Sequence, residues 1–237
     1  MTVDTTTDAA VPEALRARLA LALDVDDLVA AVRLARDLQP WFGTMKVGME
    51  LFAAAGPDAI VSLSQLGVDV FYDGKLHDIP NTVGRTARVL GALGARYVTL
   101  HTSGGVAMLR AGVQGLREGA LGAGLPEPTA LAVTVLTSDP DWSEHLVRQR
   151  AVAGLEAGCG GFVCSVPDLP ILRELAPAAT IVTPGIRPAG ASADDQARVA
   201  TPQAALDGGA DLLVIGRAVV ASDSPIEATR SLVAGLS

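Results

Sequence analysis

The sequence predicts an α/β protein built as a single (β/α)8 TIM barrel, and three observations carry that prediction. Short apolar runs rich in β-branched residues alternate with segments of helical spacing along almost the whole chain. Eight such runs occur within 237 residues, and eight parallel strands close a barrel in a chain of about 250. The runs are almost continuously apolar, as strands of a parallel sheet covered by helices are. Composition permits this architecture, since 49% of residues are hydrophobic and 19% charged, enough for a large core. The net charge of -8 argues against a general nucleic-acid or membrane-surface role, because both need a basic footprint.

The first fourteen residues, MTVDTTTDAAVPEA, hold two aspartates and no apolar stretch. A flexible tail at 1–14 is therefore expected, followed by one barrel domain over 15–237, and no secretory signal is read there. The strands follow as 19–24 (LALALD), 43–48 (GTMKVG), 68–73 (VDVFYD) and 96–101 (RYVTLH). The second half adds 129–136 (TALAVTVL), 161–165 (GFVCS), 179–184 (ATIVTP) and 211–216 (DLLVIG). Segments such as 26–38, 80–94 and 143–158 have the spacing of helices between them. Pro167, Pro170, Pro177, Pro184 and Pro202 mark loop and helix edges. An open doubly wound sheet is the rival topology, but it often carries a glycine fingerprint after its first strand, and LALDVDD has none. No apolar run approaches membrane-spanning length. Cys159 and Cys164 lack a CxxC spacing and fit buried, inert thiols in a reduced cytoplasmic protein.

A barrel carries its chemistry at the C-terminal ends of its strands. The residues expected there are Asp24, Lys46, Asp73 with Lys75 and Asp78, His101, Thr137, Ser165, Arg187 and Arg217. Two of them are unusual for this chain, which has sixteen arginines but only Lys46 and Lys75 as lysines. Arginine is planar and always charged, whereas lysine is a compact point charge able to give up a proton. Lys46 lies inside the apolar run GTMKVGMELF, and a buried lysine needs a partner. The carboxylates available are Asp24, Asp73 and Asp78. Asp73 and Lys75 are two apart and share a face of an extended segment, while Asp78 lies beyond a turn. Alternation of Lys46, Asp73, Lys75 and Asp78 would set an ammonium acid beside a carboxylate that repels any anion next to it. Such a site can expel a negative group and protonate what remains.

VTPGIRP (182–188) and VIGRAVV (214–220) each join a strand end to glycine and arginine. The loops after strands seven and eight commonly hold phosphate in barrels, and Arg187 or Arg217 could fork onto its oxygens while Gly216 lets backbone approach. The small, polar stretch PAGASADDQARVA (188–200) suits a lid. His77 and His145 read as surface residues, and His101 as facing the site without a clear acid–base role. No HxH, HExxH or CxxC metal signature occurs.

LALDV, MKVGMELF, DGKLHDIPNTV, LTS, VTPGIR, DDQARVATP and VIGRA, in that order and spacing, resemble the orotidine 5′-phosphate decarboxylase family over about residues 19–220. The Asp-x-Lys-x-x-Asp-Ile-Pro-Asn-Thr run at 73–82 is the most specific piece. The resemblance implies a role for each matching position. Asp24 would contact the ribose hydroxyls, Lys46 would bind the ribose and join the charge network, and Asp73 would face the substrate carboxylate. Lys75 would protonate C6 of the pyrimidine as carbon dioxide leaves. Asp78 and Thr82 would reach across a homodimer interface into the partner's site. Thr137 would contact the pyrimidine, while Arg187, Gln196, Gly216 and Arg217 would hold the phosphate. The resemblance also implies a small nucleotide substrate and no metal or organic cofactor. Gly74 departs from the commoner pattern, where a bulkier apolar residue stands; loosened local packing is expected, with any side chain there aimed away from Asp73 and Lys75.

Other readings stay open at this point. Sugar-phosphate enzymes of the same superfamily share the Asp-x-Lys-x-x-Asp element but work through a magnesium-stabilised enediolate. A Schiff-base aldolase could use either lysine, and a nucleotide-phosphate sensor could use the loops without chemistry.

Overall fold

Alternate residues of a strand face opposite sides of its sheet, and in this chain both sides are apolar. The structure, a computed structural model, describes residues 11–187 and 200–236. Of the expected tail at 1–14, residues 1–10 lie outside the described part, whereas Val11 is buried and helix α1 (Glu13–Arg16) already begins within it. Then come β1 (Leu19–Ala22), α2 (Leu28–Leu38), β2 (Thr44–Gly48), α3 (Met49–Ala55), α4 (Asp58–Ser64) and β3 (Asp69–Leu76). The middle of the chain supplies α5 (Pro80–Ala92), β4 (Tyr97–His101), α6 (Gly105–Gly122), β5 (Thr129–Val133), α7 (Glu144–Ala157) and β6 (Gly161–Val163). It ends with α8 (Leu169–Leu175), β7 (Thr180–Thr183), α9 (Pro202–Asp207), β8 (Leu212–Ile215), α10 (Arg217–Val220) and α11 (Pro225–Ala234).

Each strand pairs in parallel with its successor, and β8 closes the barrel onto β1 through Leu19–Leu213, Ala20–Val214 and Leu21–Ile215. The expected eight-stranded barrel is therefore present. Alternation divides its apolar residues into two cores. Ala20, Ala22, Phe71, Leu131, Val182, Leu212 and Val214 pack inside the barrel. Their strand neighbours Leu19, Leu21, Leu213 and Ile215 belong to the larger cluster shared with the surrounding helices. The helix starts follow from side-chain caps that satisfy otherwise unpaired amides. Asp27, Ser143 and Thr201 accept from Ala30, Leu146 and Ala204 respectively, and Pro80 opens α5 where no amide donor is needed. Helices α5 and α6 approach so closely that a Cβ at Gly119 would lie 1.9 Å from the Arg88 carbonyl oxygen. Among the described residues no helix is long and apolar enough to cross a membrane.

Every strand but β3 is shorter than the apolar run read for it, β5 most of all. β5 ends at Val133 although 129–136 is apolar, because its neighbour β6 stops at Val163, where Ser165 caps the turn Val166–Asp168. β3 is longer than expected and continues through Lys75 to Leu76. Its pairing with β4 steps from Tyr72–Val98 to Leu76–Leu100, so four residues on β3 span two on β4. The surplus is absorbed at Lys75, the one described non-glycine residue with positive φ, at 47°. A bulge of this kind re-aims a side chain at the rim of a barrel.

Gly74 sits in that bulge. A Cβ there would lie 2.4 Å from the Tyr72 hydroxyl and 2.5 Å from its ring, on the side away from Asp73 as alternation requires. The expected looseness is corrected, because the Tyr72 ring fills the space and packs edge-on against Phe52 at 4.8 Å. Replacing Gly74 with Leu should lower stability by about 1–3 kcal/mol through overpacking. Adding Tyr72→Val should recover most of that loss, as a urea denaturation cycle of the two single variants and the double would report.

Candidate active site

The inner faces of the strands end in polar residues at one mouth of the barrel, and that mouth is a cavity. Asp24, Lys46, Asp73, Lys75, Thr137, Arg187 and Arg217 line it, with Phe71, Val133, Val135, Leu136, Val163 and Val214 as its apolar wall. The expected cluster thus assembles from β1, β2, β3, the segment after β5, and the segments after β7 and β8. Lys46 shows why the sequence marks it. Its side chain is only 10% exposed, and Nζ lies 3.2 Å from Asp24 Oδ1 and 3.7 Å from Asp73 Oδ2. Asp73 in turn accepts two hydrogen bonds from Lys75 Nζ, at 3.0 and 3.1 Å. The order Asp24–Lys46–Asp73–Lys75 alternates sign along one line.

Two residues not singled out by the sequence reading hold this line in place. Thr99 on β4 is fully buried; its hydroxyl donates to Asp73 Oδ1 at 3.1 Å and accepts from the Lys75 amide at 2.9 Å. The second bond replaces the ladder contact that the bulge removes. A hydroxyl within the apolar run RYVTLH was the available signal. At Gly48, a Cβ would lie 3.2 Å from both Asp24 Oδ1 and Lys46 Nζ, so a larger residue would press on the ion pair.

Asp78 and Thr82 take no part in this cavity. Both are exposed, and Asp78 Oδ1 accepts from the Ile79 amide at 2.6 Å. Within one chain the network therefore runs to Asp24 and not to Asp78, because β3 has ended and the chain is turning into α5. His101, expected to face the site, instead caps the turn after β4. Its Nδ1 accepts from the Ser103 amide at 3.3 Å, and its ring stacks on His77 at 5.6 Å. Burial pushes its pKa below the ordinary 6.5, with Arg150, His77 and Lys75 acting in the same direction and Asp139 opposing. Ser165 is buried, and its hydroxyl donates to Asp168 at 2.6 Å rather than facing the cavity.

The opposite side of the mouth carries Arg187, only 7% exposed, with Gly185, Gly216 and Arg217. Gly216 comes close to the first strand, since a Cβ there would lie 3.3 Å from Ala22 Cβ. Gln196 and all of the expected lid at 188–200 except Ala200 lie outside the described residues. Cys159 and Cys164 are buried away from the cavity, and burial pushes their thiols up, Cys159 to about 12 and Cys164 further. Among the described residues no three His, Cys, Asp or Glu side chains group as a metal site.

A line of alternating charge at one side and two arginines at the other, with an apolar wall between them, match the motif order from which the resemblance was read. Comparison with known proteins agrees. The model of the orotidine 5′-phosphate decarboxylase / HUMPS family matches residues 17–232. A protein of Moorella thermoacetica named orotidine 5′-phosphate decarboxylase is 43% identical over 229 residues, covering 92% of this chain and 91% of its own. One of the same name from Anaeromyxobacter dehalogenans is 43% identical over 230 residues, covering 92% and 98%. Among solved structures, orotidine 5′-phosphate decarboxylase from Lactobacillus acidophilus superposes with a TM-score of 0.76 at 34% identity, covering 91% of this chain and 97% of that one. On a match that runs through nearly every strand and helix of the barrel, the chain belongs to the orotidine 5′-phosphate decarboxylase / HUMPS family.

Proposed function

We propose that this protein decarboxylates orotidine 5′-phosphate to uridine 5′-phosphate and carbon dioxide, the last step of de novo UMP synthesis, without a cofactor. The observation that carries the reading is the Asp73 carboxylate, 3.0 Å from the Lys75 ammonium and 3.7 Å from that of Lys46. With the phosphate on Arg187, Arg217 and Gln196 and the ribose on Asp24 and Lys46, the pyrimidine lies along the apolar wall. Its C6 carboxylate then meets Asp73, and two like charges in a partly desolvated cavity repel. The bond from C6 to the carboxylate breaks and its electron pair stays on C6, in the ring plane where the π system cannot absorb it. Stabilisation has to come from charge already in position. Lys75 supplies it, transfers a proton to C6, and regains one from solvent after carbon dioxide departs. Binding energy at the remote phosphate supports the strain at the carboxylate.

The names and coverage of the relatives support this reading over a magnesium-dependent sugar-phosphate decarboxylase or aldolase. Asp78 and Thr82, exposed and outside their own cavity, are assigned to the partner's site in a homodimer. Support comes from the apolar side chain between them in the sequence, Ile79, at 65% exposure. Two buried free thiols support a cytoplasmic location.

Purified protein in excess EDTA should consume orotidine 5′-phosphate, followed by its ultraviolet absorbance, and Lys75→Ala should slow this by at least about a thousandfold. Activity that appears only with magnesium and a sugar phosphate would overturn the assignment. Arg217→Ala should lower kcat/KM by about 10- to 100-fold, the worth of a charge-assisted hydrogen bond to phosphate. The penalty should shrink with orotidine, which lacks that group. Mixing inactive Lys75→Ala and Asp78→Ala chains should restore roughly a quarter of wild-type activity, because random reassortment in a two-fold dimer gives half the dimers one intact site. No recovery on mixing would remove the cross-interface role of Asp78.

A further inference from the structure

The segment 134–143 between β5 and α7 contains neither helix nor strand, yet Leu136 and Thr137 within it line the cavity. Ordering a loop of that length when substrate arrives would consume binding energy, so whatever holds it beforehand affects the reaction. Its near end is fastened to the next strand, where Thr134 Oγ1 donates to the Val163 carbonyl at 3.3 Å, and to α7, whose Arg150 Nη1 donates to the Thr134 carbonyl at 2.6 Å. A tight turn follows, closed by the Asp139 amide on the Leu136 carbonyl at 2.9 Å, and Asp139 Oδ1 accepts from the Asp141 amide at 3.0 Å.

The far end is held differently. The Trp142 indole Nε1 donates to Asp168 Oδ1 at 2.8 Å. Asp168 is fully buried between β6 and α8, and its other oxygen accepts from the Ser165 hydroxyl at 2.6 Å and the Ser165 amide at 3.3 Å. A buried carboxylate is stable only when its oxygens are bonded, and here the donors come from two separate elements, which fixes its orientation. Trp142 itself is 40% exposed, so the indole contributes less as core packing than as a directed donor to a charged acceptor.

We infer that Trp142 and Asp168 are positioning residues for the pyrimidine end of the bound nucleotide, holding the loop that carries Leu136 and Thr137 over the cavity before substrate enters. The inference rests on the proposed decarboxylase reading, in which Thr137 meets the base. Without the indole donor more of the loop's far end must be ordered at each binding event, so the loss falls on substrate binding and not on the chemical step.

The test is Trp142→Phe in the full-length protein, with Asp168→Asn beside it, each assayed for KM, kcat, thermal midpoint and amide hydrogen exchange. Trp142→Phe should raise KM for orotidine 5′-phosphate about three- to tenfold, part of the worth of a bond to a charged acceptor, with kcat changed less than about twofold. Exchange should quicken most at 136–142, and the thermal midpoint should fall only by the small amount that one lost bond to Asp168 costs. Asp168→Asn leaves one acceptor oxygen for the indole on one side and the Ser165 hydroxyl and amide on the other, so it should raise KM too and lower the thermal midpoint more than Trp142→Phe. An unchanged KM in Trp142→Phe would overturn the inference, as would a lowered midpoint with exchange quickened throughout the barrel, the signature of a contact that only stabilises. A wild-type protein that does not turn over orotidine 5′-phosphate would sink the functional reading and this inference with it, so the two failures are told apart.

Discussion

The rest of the site depends on one carboxylate lying between two ammonium groups. Asp73 could not be kept beside a second anion, nor Lys46 inside an apolar strand, if either stood alone, because an uncompensated buried charge is costly. The line from Asp24 through Lys46 and Asp73 to Lys75 resolves both demands together. It also sets a rule for the scaffold: the four side chains come from three neighbouring strands, so the register of those strands fixes their spacing. Ala22 opposite Lys46 and Gly48 opposite Asp73 are the pairings that do so. An error of one residue would turn the charges into the outer core.

The barrel supplies that register and then departs from it at one point. Regular alternation through β3 brings Phe71 and Asp73 inward, but a strictly regular strand would not give Lys75 its observed backbone. The bulge, the positive φ at Lys75 and the Thr99 hydroxyl that takes over the lost ladder bond form one device. Tyr72 closes it from outside by filling the space beside Gly74. Local backbone irregularity is concentrated where the chemistry is, and the packing around it keeps it there.

Much of this was legible in the sequence, for identifiable reasons. Almost continuously apolar runs and their number point to the barrel, because inward and outward faces of a closed parallel sheet must both be apolar. The buried lysine in GTMKVG announced its carboxylate partners by electrostatics alone. What was not legible depended on geometry that spacing does not encode. The extension of β3 could not be read, since a bulge hides in a run that looks like a turn. Its place at the end of the fourth strand run points His101 at the site, but the chain turns there and the imidazole binds the Ser103 amide instead. Thr99 passed unnoticed because one hydroxyl in an apolar strand looks like noise until its two partners are known.

The closure of β1 onto β8 has a consequence for how the site comes into being. Asp24 and Arg217 line the same cavity while standing far apart in the chain, brought together across the seam between the first and last strands. During synthesis the charged line could assemble early, since its residues lie within the first third of the sequence. The arginine wall cannot, because β8 leaves the ribosome only after the other seven strands. A nascent chain therefore carries concentrated charge on an unclosed sheet, whose two edges await each other until β8 has emerged. Pairing of β8 with β1 is the event that turns an exposed cluster of charge into an enclosed site.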